Sequence, residues 1–133
     1  MATPEIDVVT YLSQTVSSLT AGTNLFYGGV LQVDDYVPSL AVFVLPSGGI
    51  APQSFAGYQG GAEHYSSIQI FIRGDKSDYA NTVALARTIY DALQYSPLPG
   101  YIDCRPLQSG PIYLGLDNDG HHSVSINYEL LHE

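Results

Sequence analysis

IQIFIRGDKSDYANTVALARTIYDAL, residues 68–93, decides how the chain folds, because its two halves obey different periods. In the first half Ile68, Ile70 and Ile72 alternate with Gln69, Phe71 and Arg73. That two-residue repeat predicts a strand over Glu63 to Arg73 with one apolar face. In the second half Tyr79, Val83, Ala86, Tyr90 and Leu93 recur at helical spacing, and Leu85, Ile89 and Ala92 widen the stripe. A helix is predicted from about Lys76 to Tyr95, ended by Ser96-Pro97-Leu98-Pro99-Gly100. The change of period falls on Arg73-Gly74-Asp75. Gly74 permits the turn there, and Asp75 or Ser77 can cap the helix and suit its dipole. The same tripeptide is a cell-adhesion signal. An adhesion motif needs an exposed loop tip, however, and short motifs recur by chance, so the strand-stop and helix-cap reading is favoured.

Working outward, Ser47–Ala62 reads SGGIAPQSFAGYQGGA. It is too long and too rich in glycine for a tight turn, and predicts a long hairpin loop or mobile arm. Phe55 and Tyr58 are its expected exposed contacts, with Gly48, Gly49, Gly60 and Gly61 giving it backbone freedom. Before it, Leu40 to Leu45 is apolar at every position, the mark of a strand buried on both faces and central in a sheet. Leu25 to Tyr27 predicts a short strand stopped by two glycines, and Asp34, Asp35 and Pro38 mark a loop. Residues 3–20 predict a helix, with Thr3 as N-cap, Pro4 in the first position, Glu5 complementing the dipole and Gly22 at the end. Its apolar face combines Ile6, Val9, Ser13, Val16 and Thr20 with Val8, Leu12, Thr15 and Leu19.

Downstream a three-stranded meander is predicted. It consists of Tyr101 to Leu107, with Pro106 suggesting an edge or bulge; Ile112 to Leu116; a turn at Asp117–Gly120; and His121 to Leu131. The predicted architecture is α+β: a mixed, largely antiparallel sheet with two main helices packed on it and a Gly-rich arm over residues 47–62, in one domain spanning 1–133.

Composition narrows the function. Only 13% of residues are charged, with thirteen acidic against four basic and a net charge of -9. An average soluble domain carries about 25%. Four cations cannot build a broad phosphate-binding surface, so duplex binding by charge is not expected. Eleven tyrosines in so uncharged a chain suit protein interfaces, where Tyr supplies area and a polar tip. No stretch approaches a membrane helix, and the N-terminus lacks the basic start and apolar core of a secretory signal. The single Cys104 cannot form an internal disulfide, which fits a reducing compartment.

Catalytic and metal chemistry find no support in the pattern. GLDNDGHH, residues 115–122, fails as a calcium loop: Gly115 would stand in place of the first ligand and Ile126 in place of the closing Glu. His121 and His122 point to opposite faces of a strand, and His64 or His132 could join them only through tertiary accident. Cys104 has no local base or oxyanion pocket and reads as a buried thiol. There is no nucleophile elbow, phosphate loop or zinc-protease motif. No cofactor and no enzymatic activity are expected.

Two segments together carry a family likeness: Ile68–Leu93, quoted above, and LQSGPIYLGLDNDGHHSVSINYELL, residues 107–131. A strand ending in Arg-Gly, an Asp/Tyr/Ala-rich helix, a Gln-Ser-Gly-Pro segment and a Gly-x-Asp turn into an Asn-containing last strand resemble the minor capsid or tail-terminator family of tailed bacteriophages. Leu116 departs from the pattern, which would place a basic or polar residue before the Asp. The resemblance implies a structural virion protein, assembled in the host cytoplasm, that forms a homo-oligomeric and typically hexameric ring. Such a ring sits at the head-proximal end of the tail tube, stops tube growth and meets the head-tail connector or adaptor proteins. A neighbouring neck adaptor is the alternative, and an Arg-Gly-Asp adhesion module or a small ligand-binding domain are more distant ones. On this reading residues 47–62 reach a neighbouring subunit or the tail tube. Asp34, Asp35, Asp117 and Asp119 are expected to line a channel through which DNA passes without specific binding, because carboxylates repel phosphate.

Overall fold

The computed structural model describes residues 3–27, 40–46, 53–54, 62–94, 98–117 and 120–132. Its spine is a pair of long antiparallel strands, β4 (Ala62–Gly74) and β7 (His122–His132), which pair from His64↔His132 to Gly74↔His122. On the far side of β4 lies β2 (Ala41–Pro46), antiparallel, and outside it β1 (Leu25–Tyr27), parallel to β2. The short β3 (Gln53–Ser54) pairs with the start of β4. On the far side of β7 lie β5 (Asp103–Pro106) and β6 (Ile112–Leu116). The result is a mixed, mostly antiparallel sheet with α1 (Pro4–Thr15) and α2 (Tyr79–Leu93) packed against it, an α+β fold.

The alternating isoleucines set the layer order. Ile70 stands between Val44 of β2 and Ile126 of β7, and Ile72 between Val42 and Val124; all are buried. These rows meet Val8, Val9 and Leu12 of α1 and Ala86, Ile89, Tyr90 and Leu93 of α2 in one cluster. Both helices therefore cover the same face of the sheet. On the other face Phe26, Phe43 and Phe71 form a row, with ring centroids 5.5 Å and 6.4 Å apart. As predicted, β2 is buried on both of its faces: Val42 and Val44 meet the helices, and Ala41 and Phe43 lie opposite.

Several local expectations change. α1 ends at Thr15, not near Gly22: Val16 is already extended, and its N–H closes the last turn on the Leu12 carbonyl at 2.8 Å. Beyond it Asn24 grips the chain, accepting from the Thr20 N–H at 2.7 Å and donating to the Ser18 carbonyl at 2.9 Å. β-branched Val16 followed by two serines is a weak helix former, so these side-chain bonds prevail. Gly22 serves the turn, at φ +85°. Thr3 is the N-cap of α1 as expected, but through its backbone: its carbonyl receives the N–H groups of Ile6 and Asp7, and its side chain makes no cap bond.

α2 begins at Tyr79 and not Lys76, because Asp78 is the cap, accepting from the Asn81 N–H at 3.2 Å. It ends at Leu93, with Gln94 extended. The meander is also replaced. β5 and β6 do not pair with each other but lie in line along one edge of β7. They amount to one edge strand broken across residues 107–111, where Pro106 and Pro111 cannot donate to a ladder. No described helix is long and apolar enough to cross a membrane.

Candidate assembly surface

β6 is an edge strand with an unusual sequence for that position. It reads Ile-Tyr-Leu-Gly-Leu, carries no charge, and among the described residues pairs with β7 alone. Ile112, Tyr113, Leu114 and Leu116 are all exposed, Leu114 at 55% and Leu116 at 62%. Edge strands usually carry lysine, proline or a covering element, because a bare apolar edge invites another chain. The register shifts between Tyr113 and Gly115, and this bulge carries Leu114.

A fixed aromatic group supports the strand on its helix side. Tyr79, at the start of α2, meets Tyr113 edge-on with centroids 5.1 Å apart and lies 5.5 Å from the His122 ring. The Tyr113 hydroxyl is hydrogen-bonded to His122 Nδ1 at 2.8 Å. Tyr79 was expected in the buried stripe of α2. It is 51% exposed instead, and Thr82 takes the buried position beside Gly74. Two cations flank the strand. Arg87 lies along Gly110, where a Cβ would come within 3.4 Å of the guanidinium, and the Lys76 stem lies along Gly120, 3.7 Å from where a Cβ would be.

The predicted site residues divide into three groups. Gly48, Gly49, Phe55, Tyr58, Gly60, Gly61, Asp34, Asp35 and Asp119 lie outside the described residues. Asp117 is in the turn before β7, where its carboxylate accepts from the His121 N–H at 2.8 Å. Arg73, Gly74 and Asp75 do form the strand stop. Arg73 is 5% exposed, and Gly74 packs against Thr82 so closely that a Cβ would fall 1.7 Å from its hydroxyl oxygen. Asp75 does not cap α2, since Asp78 does. It accepts from the Ser77 N–H at 3.0 Å and from the Ser77 hydroxyl, and these bonds, the backbone one first, hold its carboxyl below its ordinary value. The exposed β6 edge was missed. Its signal was available: an uncharged apolar strand bounded by Pro111 and a turn, next to a strand already marked as an edge by Pro106.

No protein-family model matches the chain, and no curated protein matches it. A solved structure does. A chain from the virion of a native gene transfer agent (GTA) particle superposes with a TM-score of 0.59 at 15% identity, covering 92% of this chain and 92% of that one. The two share a fold. The likeness extends over nearly the full length of both chains.

The described grooves are modest. One of about 120 Å³ lies between α1 and the 98–99 segment, with Asp7, Thr10 and Gln14 as its polar lining. Another, of about 300 Å³, lies between α1 and β1, lined by Val9, Ala21, Gly22, Leu25, Phe26 and Tyr27. Ligand sites usually combine an apolar pocket with a few convergent polar groups. The second groove has no carboxylate, cation or imidazole in that lining and suits an apolar side chain better.

Proposed function

We propose that this chain is a structural virion protein that works by assembly and not by catalysis. The observation that carries the reading is the full-length likeness to a virion chain. It supports the coarser part of the sequence resemblance, a phage-like structural protein. More specifically, the chain caps the tail tube as a ring, most simply a hexamer, and joins the tail to the head-neck complex. Residues 47–62 reach a neighbouring subunit or the tube, and carboxylates including Asp117 keep passing DNA from adhering. A neighbouring neck adaptor is the nearest alternative.

The adhesion reading loses ground on one observation. Arg73 is buried and Gly74 is packed against α2, so the tripeptide is not displayed as a loop tip.

Three measurements test the proposal. Particles purified from cells encoding the chain should contain it, and gold-labelled antibody should mark the neck; its absence from particles would overturn the reading. The purified chain should give rings in negative stain, whereas labelling at the capsid shell alone would move it out of the neck. Deleting Gly48–Gly61 should leave a folded chain that no longer assembles, and unchanged assembly would remove the arm from the proposal.

A further inference from the structure

We propose that the β6 edge of one copy docks on the α1/β1 edge of a second copy of this chain. The proposal rests on the ring reading above and specifies which surfaces meet. The strand order puts β1 at one end of the sheet and β5 with β6 at the other. A contact joining these opposite ends is head-to-tail, the class that closes into rings when the rotation permits.

Three features favour a second copy as the occupant. The first is shape. β6 presents protruding leucines at Leu114 and Leu116, and the far edge presents the apolar groove of about 300 Å³ between α1 and β1. One chain therefore carries both a ridge and a hollow, and apolar burial drives their association. The second is backbone. β6 pairs only with β7 among the described residues, so it has an outward edge able to add a strand, whereas the outer side of β1 is already met at Leu25 by Ala21 and the Gly22 N–H.

The third is charge. All four Lys/Arg lie between Arg73 and Arg105, and residues 1–72 contain none. Lys76 and Arg87, the two that flank β6, form no ion pair with a carboxylate among the described residues. Carboxylates near that end are engaged locally: Asp75 with Ser77, Asp78 with Asn81, and Asp117 with His121. Asp7 of α1 is engaged as well, accepting from the Tyr101 hydroxyl at 2.7 Å beside the 98–99 segment. A ridge-to-ridge contact would bring the cations beside β6 against like charge, which disfavours that pairing.

Cross-linking tests the pairing directly. A Leu114→Cys variant mixed with a Tyr27→Cys variant should form a mixed disulfide dimer under mild oxidation, and neither variant alone should cross-link; Cys104 is buried and stays out of the reaction. Sedimentation provides the second arm. Leu114→Asp with Leu116→Asp should weaken self-association at least about tenfold while circular dichroism and the melting curve stay near wild type. Self-association unaffected by the β6 changes, or cross-linking of Leu114→Cys only to itself, would overturn the proposal. A wild-type chain that stays monomeric at every concentration and yields no mixed dimer would overturn it too. In that case detection of the chain in purified particles would leave the virion reading standing.

Discussion

The Tyr128 hydroxyl is buried under α2 and donates to the Tyr90 carbonyl at 2.7 Å, while the Tyr90 hydroxyl donates to the Gln108 carbonyl at 2.8 Å. These bonds tie α2 to the last strand and to the segment before β6. Burial raises the Tyr128 phenol above its ordinary value of 10.0. Tyr101 is raised in the same way, by burial first and then by its hydrogen bond to Asp7. In the unfolded chain both phenols ionise near 10, so the folded state holds more protons above that pH and stability falls as pH rises. Below pH 10 the two groups add no pH dependence. Chemical denaturation followed from pH 8 to 11 should show that fall, and Tyr128→Phe should lessen it while costing about 1 kcal/mol at neutral pH. A second prediction concerns Gly74. Gly74→Ala should cost about 1–3 kcal/mol through overpacking against Thr82. Thr82→Ala should not rescue it, because the Thr82 Cβ itself lies 2.6 Å from the added methyl, whereas Thr82→Gly should give partial rescue.

At the scale of elements, β4 carries the architecture. Ile68, Ile70 and Ile72 were legible as one apolar face because a strand's period of two survives any tertiary context that buries it. Ile70 lies at the centre of three strands, and Ile70→Ala should lower stability by about 2–5 kcal/mol in urea denaturation, with little change in the slope. Helix ends were less legible. Gly22 and Asp75 are both plausible caps by residue type, yet the structure uses Asp78 to begin α2 and Asn24 to hold the chain after α1. Several competent side chains lie within a few residues of each terminus, and packing against the sheet selects among them. Tyr79 is the clearest case. Its spacing fits the apolar stripe, but the close approach of β4 at Gly74 leaves room for Thr82 there and turns the tyrosine outward.

For the whole molecule, net charge and edge chemistry oppose each other. Each copy carries -9, so copies repel over distance, while the proposed contact is apolar and local. Salt screens long-range repulsion strongly and shields contacts excluded from solvent far less. Raising NaCl from about 0.02 M to about 0.3 M should therefore strengthen self-association in sedimentation velocity, the Debye length over that range falling through roughly 10 Å. Weaker association in salt would show that charge pairing, not apolar burial, holds the copies together. The candidate surface itself was half legible. The sequence marks an edge at Pro106 and an uncharged strand at 112–116, but their combination into one bare edge depends on β5 and β6 lying end to end along β7.

The sequence alone determined which segments alternate and which wind, the α+β class, the strand stop at Gly74 and the scarcity of charge. These are properties of neighbours along the chain, and periodicity and backbone chemistry record them directly. Only the tertiary structure decided that both helices cover one face, that β5 and β6 share an edge instead of forming a meander, and that Ile112–Leu116 faces outward. Those outcomes depend on pairings between residues far apart in the chain. An apolar residue reads the same in sequence whether it is covered by its own fold or left for a partner.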